Sequence, residues 1–309
     1  MGLKKYNELA AALLARQQHD WPLLAANYKA LESVEVKNIT VGSETIRVQY
    51  NPARIFSSAA KVDPESIQSR PCFLCASHLF PEQEKLAIHP LYWLLCNPYP
   101  IFQEHFTLPS RHHKPQLIRS HFPDFLRLSK YLAGYTLFYN GPHCGASAPD
   151  HLHFQAVTSG VMPLEQEVAA RLSQGLPIVK HEGSAVLYSM TGYLRNGFVL
   201  RTSVARDALR LFDYLYTYLL RYAGVEEEPR MNLLALYNRG EWLVILIPRR
   251  AHRPWQYSAS GDDCFFVSPG AADIGGCLVV PRREDFEKVT VGLLKSVYEQ
   301  VCWSGDQLP

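Results

Sequence analysis

The chain has 309 residues, and its 31 Lys and Arg against 29 Asp and Glu give a formal net charge of +2 at pH 7. Hydrophobic residues make up 47% of the chain and charged residues only 19%, a globular composition that excludes a largely disordered protein. The near-neutral charge excludes nonspecific binding to nucleic acid or anionic membrane as a default, so local groups must hold any anionic ligand.

Apolar periodicity predicts helices and hairpins in turn along the chain. The predicted helices are 7–15, 21–31, 124–133, 164–172, 205–222 and 284–303. The predicted hairpins are 34–50, 185–200 and 231–247, with further strands at 86–96, 105–108 and 135–139. Hairpins interrupted by helices, without regular β-α-β alternation, predict an α+β protein with antiparallel sheet.

The start of the chain and its apolar runs predict a cytoplasmic protein. Asn7 and Glu8 precede any long apolar stretch, so no signal-peptide core is expected. The longest apolar runs, such as 243–248, are far shorter than the roughly 20 residues that span a bilayer. Seven cysteines are also too few for a secreted disulfide scaffold of this length.

A short internal similarity predicts two related halves. Residues 105–116 resemble residues 243–255: in each a predicted strand ends at Pro, Arg follows, His stands four residues after that Pro, and a second Pro follows the His. We therefore predict halves at 1–180 and 181–309 that build one site. Only the first half contains a His-x-His-x-Gln sequence, at 151–155. Chance similarity is the alternative, because a repeat normally requires a longer match.

The most informative segment is 140–155, a Gly- and Ser-rich loop followed by His151-x-His153-x-Gln155. Glycine lets backbone N–H groups approach an anion closely. Strand alternation would place the three polar side chains on one face and the apolar residues between them on the other. A neutral imidazole can attack a phosphoryl centre while amide donors stabilise the developing charge. Two histidines with purely structural contacts are the alternative.

The pattern Ser-x-Pro-x-His-x-His-x-Gln over 147–155 resembles the active-site signature of the histidine triad superfamily, in its transferase branch with glutamine last. That branch includes galactose-1-phosphate uridylyltransferase, diadenosine tetraphosphate phosphorylase and the GDP-hexose phosphorylases. The resemblance implies two histidine-triad-like halves with antiparallel sheet flanked by helices. Asp150 is an additional residue compared with the uridylyltransferase pattern, so that enzyme's substrate is not implied.

The resemblance also implies roles for individual residues of this segment. His153 would be the nucleophile that carries a nucleoside monophosphate, and Gln155 would hydrogen-bond that phosphate. Ser147, Asn140 and Gly145 would contact the phosphates.

Further substrate-binding candidates lie outside this segment. Arg54 and Lys61 can bind phosphate, the first through its bidentate fork and the second as a point charge, with surface solvation as the alternative. Asn97 lies in a turn that resembles the Asn-containing turn of these families, where it would meet the nucleotide. The basic cluster at 249–253 is either a solvated face or a pocket for the acceptor phosphate.

Cys72 and Cys75 are candidate metal ligands. Two thiolates at this spacing can bind one tetrahedral zinc ion if two further ligands are supplied. In the uridylyltransferase branch, a histidine after the central strand and the first histidine of the motif complete a structural zinc site. The resemblance therefore implies His151 and either His112 or His113. We favour His113, because the internal similarity keeps a histidine at that position. A redox pair and two unliganded thiols are the alternatives.

These features predict a nucleotidyltransferase or phosphorylase that acts on a nucleoside diphosphate sugar or dinucleoside polyphosphate through a covalent nucleotidyl-His153. Phosphate or a sugar phosphate would be the acceptor, and neither nucleic acid nor membrane is expected as a partner. A hydrolase that passes the same intermediate to water, and a nucleotide-binding protein without turnover, are the alternatives. The sequence carries no readable pattern for base, sugar or oligomeric state.

Overall fold

The structure, a computed structural model, describes residues 4–55 and 62–308. The helices in these ranges are α1 Lys4–Asp20, α2 Pro22–Ala30, α3 Pro64–Ser69, α4 Phe122–Tyr131, α5 Pro163–Gln174, α6 Ala205–Ala223, α7 Ala271–Ile274, α8 Arg283–Lys288 and α9 Val291–Val301. The strands are β1 Glu35–Val41, β2 Glu44–Tyr50, β3 Leu86–His89, β4 Tyr92–Cys96, β5 His105–Pro109, β6 Tyr135–Asn140, β7 His153–Thr158, β8 Ile178–Glu182, β9 Ala185–Met190, β10 Gly197–Thr202, β11 Met231–Asn238, β12 Glu241–Pro248 and β13 Cys277–Val280. No helix in the described ranges combines the length and apolar character that crossing a membrane requires.

A ten-stranded sheet runs through the protein in the order β3-β4-β5-β7-β6-β11-β12-β10-β9-β8, and every neighbouring pair in it is antiparallel. A second sheet contains β1, β2 and β13, in which β13 runs parallel to β2. The predicted α+β class is confirmed. The parallel pair was not predicted, because the short apolar run of β13 finds its partner near the other end of the chain.

The ten-stranded sheet consists of two five-stranded units with the same topology. Counted outward from the β6–β11 junction, the order is β6-β7-β5-β4-β3 on one side and β11-β12-β10-β9-β8 on the other. In chain order, a helix follows the third strand of each unit and precedes the fourth. This helix is α4, between β5 and β6, in the first unit and α6, between β10 and β11, in the second. The protein is therefore built from two halves of like design, while a chain division at residue 180 stays a prediction.

The topology corrects the register of the predicted internal similarity. Residues 105–116 begin in β5 and residues 243–255 begin in β12, but the counterpart of β5 is β10 and the counterpart of β12 is β7. The shared Pro, Arg and His do not occupy equivalent places in the two halves. The two halves share their order of strands. The short match in residue types between 105–116 and 243–255 does not reflect that shared order.

Most predicted elements are present, and two differences have simple causes. The predicted helix at 284–303 is two helices, because Thr290 caps a new one by accepting a hydrogen bond from the Leu293 amide. The edge strand β8 was missed because its side chains are mostly exposed, so it has no alternating apolar pattern.

Two hydrophobic cores lie on opposite faces of the large sheet. Helices α1, α2, α4 and α6 cover one face, where the rings of Phe122 and Phe212 stack with centroids 3.7 Å apart. The small sheet with α5, α7 and α9 covers the other face. Leu152, Phe154 and Ala156 point into the first core, as the alternation predicted, so the polar face of β7 is turned toward the second.

Candidate functional site

A cleft of about 840 Å³ opens beside β6 and β7 on the face that carries the small sheet, and both halves line it. The predicted substrate-site residues that the cleft brings together are Arg54, Asn97, Asn140, Gly145, Ser147, His153 and Gln155. Lys61, predicted as a phosphate ligand, lies outside the described residues. These seven residues are spread over a hundred positions of the chain, and the fold brings them to one cleft.

The backbone and ring of His153 are both held by hydrogen bonds. Its amide donates to Gln116 Oε1 at 2.7 Å, and Gln116 Nε2 donates to the carbonyls of His153 and Asn140 at 2.9 Å. Its Nδ1 lies 2.8 Å from the carbonyl oxygen of His151, which can only accept, so Nδ1 carries the hydrogen and Nε2 keeps its lone pair. Burial lowers the pKa of His153 to about 4. The ring is therefore neutral near pH 7, the form that a nucleophile at phosphorus requires.

Gln155 is oriented by a second histidine. The Ile101 amide donates to His105 Nδ1 at 3.2 Å, which leaves the ring hydrogen on Nε2, and this group donates to Gln155 Oε1 at 2.7 Å. Burial and the nearby Arg54 lower the pKa of His105 to about 3, so the ring stays neutral. With its oxygen occupied, Gln155 has its amide N–H groups left as donors in the cleft. Sequence reasoning missed His105, because no spacing links it to the motif.

The loop from 141 to 147 is packed against a loop of the second half. Asn140 Oδ1 accepts hydrogen bonds from the Ala271 amide at 2.6 Å and from Asn232 Nδ2 at 3.1 Å, so this oxygen joins β6, β11 and α7. Gly145 has a φ of +93° and approaches Gly270 so closely that a Cβ on Gly145 would lie 2.5 Å from the Gly270 Cα. The structure therefore gives Asn140 and Gly145 a packing role at the cleft wall.

Gly145→Ala is expected to lower the free energy of unfolding by about 2 kcal/mol or more, because it adds backbone strain at positive φ and a contact that only backbone movement can relieve. Urea unfolding measures this loss. Gly160→Ala is the matched control, since Gly160 has a φ of +88° but open space around its Cβ position. Equal losses in the two variants would contradict a close approach of the two loops.

Arg54 and Asn97 both hold the turn that follows β4. Arg54 Nη1 donates to the Tyr99 carbonyl at 2.6 Å, and Asn97 Oδ1 accepts from the Tyr99 amide at 2.9 Å. Burial lowers the pKa of Arg54 to about 10, so the guanidinium stays charged near pH 7. Asp273, absent from the sequence prediction, also lines the cleft and accepts hydrogen bonds from the Gly270 and Val279 amides.

Cys72, Cys75, His113 and His151 converge at one point, with their ligand atoms all within 4.8 Å of one another. The sulfur of Cys72 lies 3.2 Å from His151 Nδ1, and that of Cys75 lies 3.3 Å from His113 Nδ1. Such separations suit donors that share one ion through bonds of about 2.0–2.3 Å. His112, the other candidate, is outside this group. The four residues together can hold a metal ion.

A family model described as a domain of unknown function (DUF4922) matches residues 13–158. A search of curated proteins finds no match. The crystal structure of yeast Ap4A phosphorylase Apa2 in complex with Ap4A is similar, with a TM-score of 0.59 and 19% identity over 94% of this chain and 98% of that chain. Its complex with AMP has a TM-score of 0.58 and 18% identity, over 94% and 97% of the two chains.

Diadenosine tetraphosphate (Ap4A) phosphorylase is a member of the transferase branch that the motif resembles. The chain shares the fold of the yeast phosphorylase structures. A weaker likeness, with a TM-score of 0.39 and 14% identity over 84% of this chain and 99% of that chain, is to an ADP-glucose phosphorylase from Arabidopsis thaliana with bound ADP-glucose. The predicted α+β fold, with two halves of antiparallel sheet flanked by helices, is confirmed.

Asp150, the residue that departs from the uridylyltransferase pattern, lies beside the Cys/His group of the first half. Its Oδ2 is 3.8 Å from His113 Nε2, and its Oδ1 accepts a hydrogen bond from Arg70 Nη2 at 2.9 Å. His151 Nε2 in turn lies 2.8 Å from the Ser110 carbonyl, which directs Nδ1 toward the thiols. Carboxylates and carbonyls at these positions orient histidines that bind metals.

Behind the motif strand, the second half contributes a buried carboxyl group, that of Glu228. Tyr139 Oη lies 2.7 Å both from Glu228 Oε1 and from the carbonyl of Gln116, the residue that holds His153. Tyr216 Oη lies 2.6 Å both from Glu228 Oε2 and from the Glu227 carbonyl. The hydroxyls of Tyr139 and Tyr216 make four contacts with oxygen atoms but have only two hydrogens to donate. A proton on the Glu228 carboxyl group supplies the hydrogen for one more of these contacts. Burial correspondingly raises the pKa of Glu228 to about 7.

Relative to Glu228→Gln, the wild-type protein is expected to lose stability as the pH rises from about 4.5 to about 7. A carboxyl group whose pKa rises from 4.5 to about 7 on folding stabilises the protein below its unfolded pKa, and this contribution disappears as the pH passes the folded pKa. The full change is on the order of 3 kcal/mol. Urea unfolding at several pH values between 4 and 8 measures it.

The matched control for this experiment is Glu227→Gln, because Glu227 is the exposed neighbour of Glu228. Glu227→Gln should follow the wild-type dependence on pH. If Glu228→Gln does so too, the buried carboxyl group does not carry a proton at neutral pH.

Proposed function

We propose that this protein is a nucleotidyltransferase of the phosphorylase type that acts on a nucleoside diphosphate sugar or a dinucleoside polyphosphate through a nucleotidyl-His153 intermediate. The observation that carries the proposal is the state of His153, a neutral ring in a large cleft with the hydrogen on Nδ1 and the lone pair on Nε2. The likeness in fold to a phosphorylase of Ap4A supports the same reaction class.

In the first step His153 Nε2 attacks the α-phosphorus of the donor, an N–P bond forms, and the P–O bond to the leaving phosphate group breaks. The ring acquires a positive charge, which the Nδ1–H hydrogen bond to the His151 carbonyl stabilises. In the second step an oxygen of the acceptor phosphate attacks the same phosphorus and the N–P bond breaks. His153 returns to its neutral form, so two easier substitutions replace one difficult transfer between two anions.

The other cleft residues have proposed roles as binding groups. The free amide N–H groups of Gln155 would donate to a nonbridging oxygen of the transferred phosphate, because His105 occupies the Gln155 oxygen. Ser147 and the adjacent backbone would contact the phosphates. Arg54 and Asn97 would meet the nucleotide through the turn that they hold. Lys61 keeps its predicted role as a phosphate ligand.

We propose that the ion held by Cys72, Cys75, His113 and His151 is zinc, because two thiolates and two imidazoles are a typical donor set for structural zinc. Bound zinc would supply a rigid structural link without taking part in the chemistry. Holding the His151 ring also places its backbone carbonyl, which accepts the Nδ1 hydrogen of His153. The zinc site would therefore help to position the nucleophile, acting through a neighbouring residue.

Trapping the intermediate tests the proposed function. The protein is incubated with labelled dinucleoside polyphosphates and nucleotide sugars of the four bases, without phosphate, and then quenched. A label that is acid-labile, base-stable and located on the His153 peptide is expected with at least one donor. Absence of label with every donor would overturn the covalent mechanism and leave the nucleotide-binding alternative.

Product analysis then separates a phosphorylase from a hydrolase. When phosphate is added to the labelled protein, the expected product is a nucleoside diphosphate, because phosphate attacks the nucleotidyl group. A sugar-phosphate acceptor would give the corresponding nucleotide sugar instead. Release of nucleoside monophosphate at the same rate with and without these acceptors would identify the hydrolase that passes the intermediate to water.

A further inference from the structure

The second half contributes a group of polar side chains to the same cleft as His153. His252, Arg253 and Ser268 all line it. Arg253 Nε donates to Ser268 Oγ at 2.9 Å, and Ser268 Oγ lies 3.4 Å from His252 Nε2. Three side chains that can donate hydrogen bonds to oxygen thus stand together on a wall that the catalytic motif does not occupy.

The charge behind this group is positive. Arg249 is 2% exposed, and within the described part of the chain its guanidinium donates to neutral oxygens. Those oxygens are Oδ1 of Asn232 and the carbonyls of Ala251, His252, Pro269 and Val301. Arg249 therefore fixes the backbone on both sides of the group and adds a full positive charge beneath it.

The state of His252 reports the same excess of positive charge. Its pKa is lowered to about 3, first by burial and then by the cations around it. Those cations include Arg253, Arg249 and Arg230. Among the described residues that line the cleft, Asp273 is the carboxylate, and its two oxygens accept hydrogen bonds from the Gly270 and Val279 amides. An anion at the group would relieve the repulsion among these cations.

We propose that His252, Arg253 and Ser268 form the subsite for the phosphate group of the acceptor. This inference rests on the proposed function, in which a second anion must approach the phosphate carried by His153. The positive charges of Arg249 and Arg253 would attract a phosphate dianion. Arg253 and Ser268 provide hydrogen-bond donors for its oxygens. The ligand is inorganic phosphate or the terminal phosphate of a sugar phosphate, which share this chemistry.

Titration with inorganic phosphate and with a hexose 1-phosphate tests the subsite directly, without any need for turnover. Arg253→Gln is expected to weaken binding of at least one of them about 10- to 100-fold, because a charged hydrogen-bonding partner is lost. Arg250→Gln is the control, since Arg250 points to Ser304 and Gln307 away from the cleft, and it should change the affinity less than about twofold. Equal affinities in wild type and Arg253→Gln would overturn the proposal.

A second variant guards against a change in folding, because Arg253 also stacks on Tyr257 with its Cζ 4.0 Å from the ring centre. Ser268→Ala leaves that contact in place and is expected to weaken phosphate binding about three- to tenfold. Comparing inorganic phosphate with the hexose 1-phosphate identifies the acceptor. It is the ligand that wild type binds more tightly and whose affinity falls in both variants. An unchanged affinity of both ligands for Ser268→Ala would overturn the assignment of this serine.

The kinetic test uses protein that already carries label on His153. The concentration of acceptor that gives half-maximal discharge of the label should rise in Arg253→Gln by the same factor as the dissociation constant. If it does not rise, the subsite does not serve the acceptor. Failure of wild type to take up label would contradict the proposed function alone, because the titration is independent of it.

Discussion

His153→Ala is expected to lower turnover by about 10⁴-fold or more, because the substitution removes the atom proposed to form the bond to phosphorus. The donor is still expected to bind with nearly wild-type affinity, since Gln155 and the loop around Ser147 remain in the cleft. Turnover and equilibrium binding of the best donor are measured on the same preparations.

His112→Ala is the matched control for His153→Ala. His112 is an exposed histidine outside both the cleft and the Cys/His group, so its variant should keep wild-type turnover. A His153→Ala protein that retains more than a few per cent of turnover would show that His153 is not the nucleophile. A loss of turnover in both variants would point to a general effect on folding.

Cys72→Ser is expected to lose most of the bound metal and several kcal/mol of stability, because one of four ligands is replaced by a much weaker donor. For a chain of this length such a loss corresponds to a fall in melting temperature of roughly 5–10 °C. Turnover should fall as well, because the His151 carbonyl no longer holds the ring of His153 in place. Elemental analysis and thermal unfolding measure the first two effects.

Cys264→Ser is the control for the metal site, because Cys264 is a partly exposed cysteine outside the Cys/His group. Its metal content should equal that of the wild type, expected at about one zinc ion per chain. A zinc content near zero in wild-type protein purified without chelator would contradict the metal proposal. Equal metal content in Cys72→Ser and wild type would show that the ion is held elsewhere.

Local sequence features located the motif strand and the Cys/His group because their information is contained in short spacings. Period-two alternation placed Leu152 and Phe154 in a core and left His153 and Gln155 for the cleft. The Cys72–Cys75 spacing identified two candidate ligands from one turn. His113, and not His112, joins this group of side chains, but the similarity to His252 that suggested it does not follow the topology.

Other parts of the site were not predictable from spacing. Gln116 holds both the amide and the carbonyl of His153, yet it lies in a loop with no periodic pattern. His105 becomes a partner of Gln155 only because β5 pairs with β7. Glu228 reaches the same region through Tyr139 from the other half of the protein. Each of these contacts depends on which strands are neighbours.

The sequence alone was sufficient for the fold class and for locating the motif strand and the Cys/His group, because helical and strand periods and residue spacings are local properties of the chain. The tertiary structure decided which nitrogen of His153 carries the hydrogen, how the two halves correspond, and that His252 and Arg253 share the cleft with the motif. These depend on hydrogen bonds and packing between residues far apart in the sequence. Strand order brings such residues together, and no local pattern encodes that order.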